Sequence, residues 1–229
     1  MDTSIVTQQE HAQTNAFVAK VFLWMFFALL TTGLVSLYVV SSRTILRALF
    51  SSNFVFYGLL IGEFILVSYL SRSIGKITSS TATFLFFAYS ALNGVTLSVV
   101  FLLFTAESIA STFFIAAATF GVMSFYGMTT KRDLTSLGSL CFMGLIGVVI
   151  ASVINLFFFN EMIYWVTTFI GIFVFVGLTA YDTQKIKIMG RAGLDQTTTE
   201  KATIMGALAL YLDFINLFLL LLRIFGKRR

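Results

Sequence analysis

Three carboxylates sit where lipid should surround them. Glu63 lies within "FVFYGLLIGEFILVSYL", Asp213 within "ALALYLDFINLFLLLLRIF", and Asp182 directly follows "FVFVGLTAY". An acid at the bilayer centre costs roughly 2.5 to 3.5 kcal/mol on insertion scales, so each should face the bundle interior, a partner or water. Asp213 has no basic residue in its own run before Arg223, so its partner must come from another helix. If Asp182 and Asp213 meet, like charge forbids cheap ionisation of both, and the pair shares a proton and titrates as a unit. Such a pair is a pH sensor. It is also an oxygen-rich, partly anionic site of the kind calcium prefers.

Each acid has a plainer reading beside this one. Asp182 is equally placed to be a wetted helix end, with "DTQKIK" in the cytoplasm, and Glu63 to be a protonated, hydrogen-bonded core acid. Tyr181 and Tyr211 offer hydroxyls near the two aspartates, and Asn216 a further polar group in the last run. Contact between Asp182 and Asp213 is not guaranteed by order alone. A hairpin with one helix ending near Met189 and the next starting near Glu200 puts Asp182 seven residues from the turn and Asp213 thirteen. That mismatch is roughly 9 Å at 1.5 Å per residue.

The elements that must position these acids are membrane spans. Of 229 residues, 58% are hydrophobic and 11% charged, and the mean hydropathy is +0.94, far from a soluble domain. Proline is absent and phenylalanine numbers 27, which suits uninterrupted helices packed by rings. Apolar runs of about 20 residues, rather than alternating segments of about 10, exclude a barrel. The runs fall at 17–40, 54–70, 83–104, 109–128, 134–159, 163–181 and 204–222, which predicts an all-α polytopic bundle of seven helices. A polar leader, 1–16, precedes a single transmembrane domain, 17–229; it lacks a basic segment and does not resemble a signal peptide.

Charge sets the orientation. With the amino terminus in the cytoplasm, the connections after spans two, four and six hold eight Lys and Arg, and those after spans three and five hold none. The basic tail, Arg223 to Arg229, then lies outside, against the rule; a re-entrant last segment would return it inside. The net charge of +5 therefore reflects topology, with lipid rather than nucleic acid as the partner. Cys141 and His11 are each the only residue of their type, which removes an intrachain disulfide, a thiolate cluster built from one chain, and most zinc, haem and Ser/His or Cys/His readings. No cofactor is expected. The spacings Gly58/Gly62 and Gly144/Gly147/Ala151 allow either a dimer seam or close packing within one bundle, and the oligomeric state stays open.

"VGLTAYDTQKIK" and "ALYLDFINLFLLLLRIFG" resemble the two signature segments of the Bax inhibitor-1 family, also called the transmembrane Bax inhibitor motif family. "YSALNGVTLS" and "GMTTKRDL" are similar to its bacterial members, and the likeness runs from about Phe17 to Phe225. The resemblance implies a bundle with a central seventh helix in a bacterial inner membrane. It also implies a pH-sensitive calcium leak gated by Asp182 and Asp213, with an arginine latch whose matching position is Arg72. Some bacterial relatives are regarded as modulators of a membrane-bound quality-control protease, and here the leader would serve that role. An intramembrane aspartic protease is the remote alternative, because "LYLD" lacks the Gly-x-Gly-Asp setting of that class. No enzymatic activity is expected.

Overall fold

The computed structural model describes residues 3–229, with side chains from 12 onward except at 50 and 53. The chain forms α1 (Thr3–Ser41), α2 (Arg43–Phe50), α3 (Asn53–Ser73), α4 (Ser79–Leu103), α5 (Ala106–Thr129), α6 (Thr135–Phe157), α7 (Glu161–Gly190) and α8 (Gln196–Phe225). Seven of these are long and apolar enough to cross a membrane. They match the seven predicted spans in order, and most run further at their ends. The leader is helical from Thr3 and continues into the first span without a break; residues 1 and 2 lie outside the described residues.

Helix ends are set by short polar side chains. Ser52 accepts from the Phe54 N–H at 3.2 Å, Thr78 from Thr81 at 3.2 Å, and Asn160 from Met162 at 2.9 Å. Asp133 and Asp195 do the same before α6 and α8, at 2.9 Å from Thr135 and 3.2 Å from Thr198. Hydrogen bonds from the side chains and backbones of those threonines hold both carboxyls below the ordinary carboxylate range. Both caps are therefore ionised at neutral pH, and they are lost only as pH falls below about 4.

α2 falls inside the segment read from sequence as a polar connection. Its apolar residues Ile45, Leu46 and Leu49 and its basic residues Arg43 and Arg47 occupy different faces of two turns. Such a helix lies in the interface rather than across the membrane, and it is too short to register as a span.

The helices group into two compact units, and α8 contributes to both. The first comprises residues up to Thr105, Met189–Tyr211 and Arg228–Arg229. Here α1 and α4 touch backbone to backbone at Gly94, where a Cβ would stand 2.7 Å from the Thr32 carbonyl oxygen. Ser36 donates to the Gly94 carbonyl at 2.7 Å and Thr32 to that of Ser90 at 2.9 Å, sealing the approach. The second unit comprises Ala106–Ile188 and Leu212–Lys227. In it α7 is held by glycines on three neighbours' seams: Gly127 of α5 lies against Ala180, Gly138 of α6 against the Tyr181 ring, and Gly171 against Leu220 of α8. Gly144 meets Val174, whereas Gly58 and Gly147 face open space. The small residues that set the packing are thus mostly not those whose sequence spacing suggested it.

α8 is the most enclosed span, with 72% of its apolar window buried against 6–44% for the others. It is one unbroken helix of 30 residues, so the last segment is not re-entrant. After it, the Lys227 N–H donates to Ser108 at 3.0 Å and the Arg229 N–H to the Leu103 carbonyl at 3.0 Å. The basic tail therefore lies at the end of the molecule that carries the α4–α5 connection.

Two outcomes follow from this packing. In a Cys141→Ala background, single cysteines at Glu107 and Arg228 should react with an impermeant thiol reagent from one side of the membrane, and one at Gly193 from the other. Labelling of positions 107 and 228 from opposite sides would contradict the tail's placement. Gly138→Ala puts a Cβ 2.5 Å from the Tyr181 ring and should cost about 1 to 3 kcal/mol, read as a lower unfolding midpoint. Gly147→Ala, which meets open space inside α6, should leave that midpoint unlowered or slightly raised.

Candidate functional site

The half of α7 that carries Asp182 is fixed by polar pins to the connection between α5 and α6. The Gln184 side chain accepts from the Leu134 N–H at 2.8 Å and donates to the Arg132 carbonyl at 2.7 Å. Lys187 donates to the Met128 carbonyl. On the same turns Thr179 and Thr183 return their hydroxyl protons to the Phe175 and Thr179 carbonyls, each at 2.7 Å, so neither leaves an unsatisfied group inside the bundle. Asp182 is half-buried on this rigid stretch.

Asp213 comes to it from α8. It is 4% exposed, and its carboxyl group lies within interaction reach of that of Asp182. Ionised carboxylates are acceptors only, so a hydrogen bond between the two would need a proton. Asp213 Oδ2 is buried and finds no donor among the described residues. Phe214, next in the chain, is wedged between Phe113 and Phe120 at ring distances of 5.4 and 5.5 Å. Cys141 of α6 lies within electrostatic reach of Asp213, and its sulfur would touch a Cβ placed on Gly177.

The two acids come within reach despite the expected mismatch. Asp182 lies eight residues before the end of α7 and Asp213 seventeen after the start of α8. The difference of nine residues is larger than sequence suggested, roughly 13 Å of helix. The connection 191–195 between them begins in a turn, with the Ala192 N–H on the Met189 carbonyl at 3.1 Å. Gly193, at φ +59°, supplies the left-handed step this path needs.

The remaining candidates are placed as follows. The Tyr211 hydroxyl pairs with Thr32 of α1 at 2.8 Å, and its ring meets Phe86 and Tyr89 edge to face. Tyr181 lays its ring against Gly138. Asn216 donates to the Leu212 carbonyl of its own helix at 2.8 Å and lines a cavity of about 330 Å³ that also includes Arg223. Glu63 is buried on α3 and accepts from Thr96 of α4 at 2.7 Å. Arg72 is exposed in the last turn of α3. The cation whose charge acts on Asp182 is Lys185, one helical turn further along α7. Its i+3 spacing was readable in the sequence, whereas the Gln184 and Lys187 pins depend on which connection lies opposite and were not. Among the described residues no three His, Cys, Asp or Glu side chains converge as a metal site.

The chain matches the family described as Inhibitor of apoptosis-promoting Bax1 over residues 14–229. It is 49% identical over 223 residues to the inner membrane protein YbhL of Escherichia coli strain K12, covering 96% of this chain and 95% of that one. It is 44% identical over 223 residues to a protein of Borreliella burgdorferi, covering 97% and 96%, and 37% identical over 229 residues to a membrane protein of Streptococcus pyogenes, covering 99% of each. With its seven spans it is an integral inner-membrane protein, and it belongs to the Bax inhibitor-1 family.

Proposed function

We propose that the protein is a pH-gated cation leak that passes calcium, with Asp182 and Asp213 as its gate. The observation that supports this reading is the proximity of the two carboxyls, one on α7 and one on the enclosed face of α8, where like charge disfavours ionising both. A protonation equilibrium placed between two helices is a device for moving them. With one proton shared, the pair keeps one negative charge and ties α7 to α8. Arg72, the latch position, is attracted by that charge in the closed state. A second proton neutralises the pair, removes the attraction and frees the helices to separate.

The donor set suits a passing ion better than a stored one. Calcium takes six to eight oxygens, and two carboxyls supply at most four. An ion at the pair would retain water or borrow backbone carbonyls, which keeps binding weak enough for release.

In proteoliposomes, calcium flux through the full-length chain should rise as external and internal pH are lowered together from about 8 to 6. One titrating proton sets a ceiling of about tenfold per pH unit. Asp182→Asn and Asp213→Asn should each flatten that dependence, and unchanged pH profiles in both variants would sink the gate. Arg72→Gln should raise flux at pH 8 toward the wild-type value at pH 6; flux at pH 8 equal to wild type would remove Arg72 from the mechanism while leaving the pair in place.

A further inference from the structure

A second buried acid has a different environment. Glu63 of α3 and the Asn93 and Thr96 side chains of α4 are 9%, 8% and 9% exposed, all within one compact unit. Tyr89, Asn93 and Thr96 follow one another at i, i+4 and i+7, so they line one face of α4. The Thr96 hydroxyl reaches Glu63 Oε1 at 2.7 Å and the Asn93 carbonyl at 2.9 Å, and it has one hydrogen for the two. The Asn93 amide nitrogen donates to the Tyr89 hydroxyl at 3.3 Å, and Asn93 Oδ1 is buried with no partner. The groups acting on Glu63 are its burial and Thr96, with no basic side chain among them. Tyr89 and Tyr211 are the other titratable groups within electrostatic reach.

The balance is one-sided. Glu63 brings two acceptor oxygens and Asn93 brings its unpartnered Oδ1, and the single hydrogen of Thr96 is shared between Glu63 Oε1 and an Asn93 carbonyl that the α4 backbone already serves. A buried acceptor left without a partner costs about 1 to 3 kcal/mol. A proton on Glu63 would satisfy two oxygens at most. A metal cation satisfies several at once, and all the oxygens here are hard donors. One carboxylate among neutral oxygens balances a single positive charge.

We propose that Glu63, Asn93 and Thr96 bind a monovalent cation of the sodium class between α3 and α4. Binding there ties the two helices together. The site is distinct from the aspartate pair and does not depend on the proposed leak, because it shares no residue with Asp182 or Asp213.

The test is thermal unfolding of the purified full-length protein in detergent at pH 8, with choline, sodium, lithium, potassium and calcium chlorides compared at equal ionic strength. Sodium is expected to raise the unfolding midpoint saturably by several degrees over choline, and potassium to raise it less. The half-saturating sodium concentration should rise about tenfold or more in Asn93→Ala, and the effect should vanish in Glu63→Gln. Asp213→Asn should keep the sodium response. Equal midpoints in sodium, potassium and choline for the wild type would mean that Glu63 carries a proton only, and would overturn the proposal even if Glu63→Gln fails to fold. Stabilisation by calcium without sodium would overturn the charge assignment.

Discussion

Two carboxyl groups that lie side by side in an apolar bundle cannot both ionise cheaply, and Asp182 of α7 and Asp213 of α8 are within reach of each other. Neither acid has an alternative donor of comparable quality. Asp213 is almost wholly enclosed and its Oδ2 meets no donor among the described residues, while Lys185, the cation acting on Asp182, is itself exposed. The cost of leaving a carboxylate in such surroundings is what the proposed shared proton would relieve.

Much of the surrounding packing serves to hold this contact in place. Lipid supplies no hydrophobic drive between helices, so close approach must come from small residues and polar pins. Gly127, Gly138 and Gly171 let α5, α6 and α8 come up against α7, and Gln184 fixes the height of α7 against the connection at 130–134 while Lys187 ties it to Met128 in the last turn of α5. On α8, Phe214 is held between Phe113 and Phe120, which orients the neighbouring Asp213. The polar contacts of Thr32, Ser90 and Tyr211 perform a similar task for the first unit, with every hydroxyl returned to a carbonyl or to another hydroxyl.

The seven spans were legible because hydropathy over about 20 residues is a property of the chain itself, independent of partners. The caps at Thr78, Asp133 and Asp195 were equally local, being polar residues just before apolar runs. α2 was missed because eight amphipathic residues carry too little apolar length to stand out from a connection. The register of α7 against α8 was not legible, since it depends on the path of a five-residue connection and on which glycine meets which side chain. For the same reason the sequence offered Tyr211 as a partner for an acid, while its hydroxyl is taken by Thr32 of a helix 179 residues away in the chain.

The central claim is that a proton sits between Asp182 and Asp213 at neutral pH, and infrared difference spectroscopy of the carboxyl region reads it directly. The wild-type protein at pH 7 should show a protonated-carboxyl carbonyl band that is lost in Asp213→Asn, where half-buried Asp182 has Lys185 beside it, and that shifts in frequency in Asp182→Asn, where enclosed Asp213 keeps its proton but loses its partner. A band that survives unchanged in both variants, or its absence from the wild type, would contradict the account.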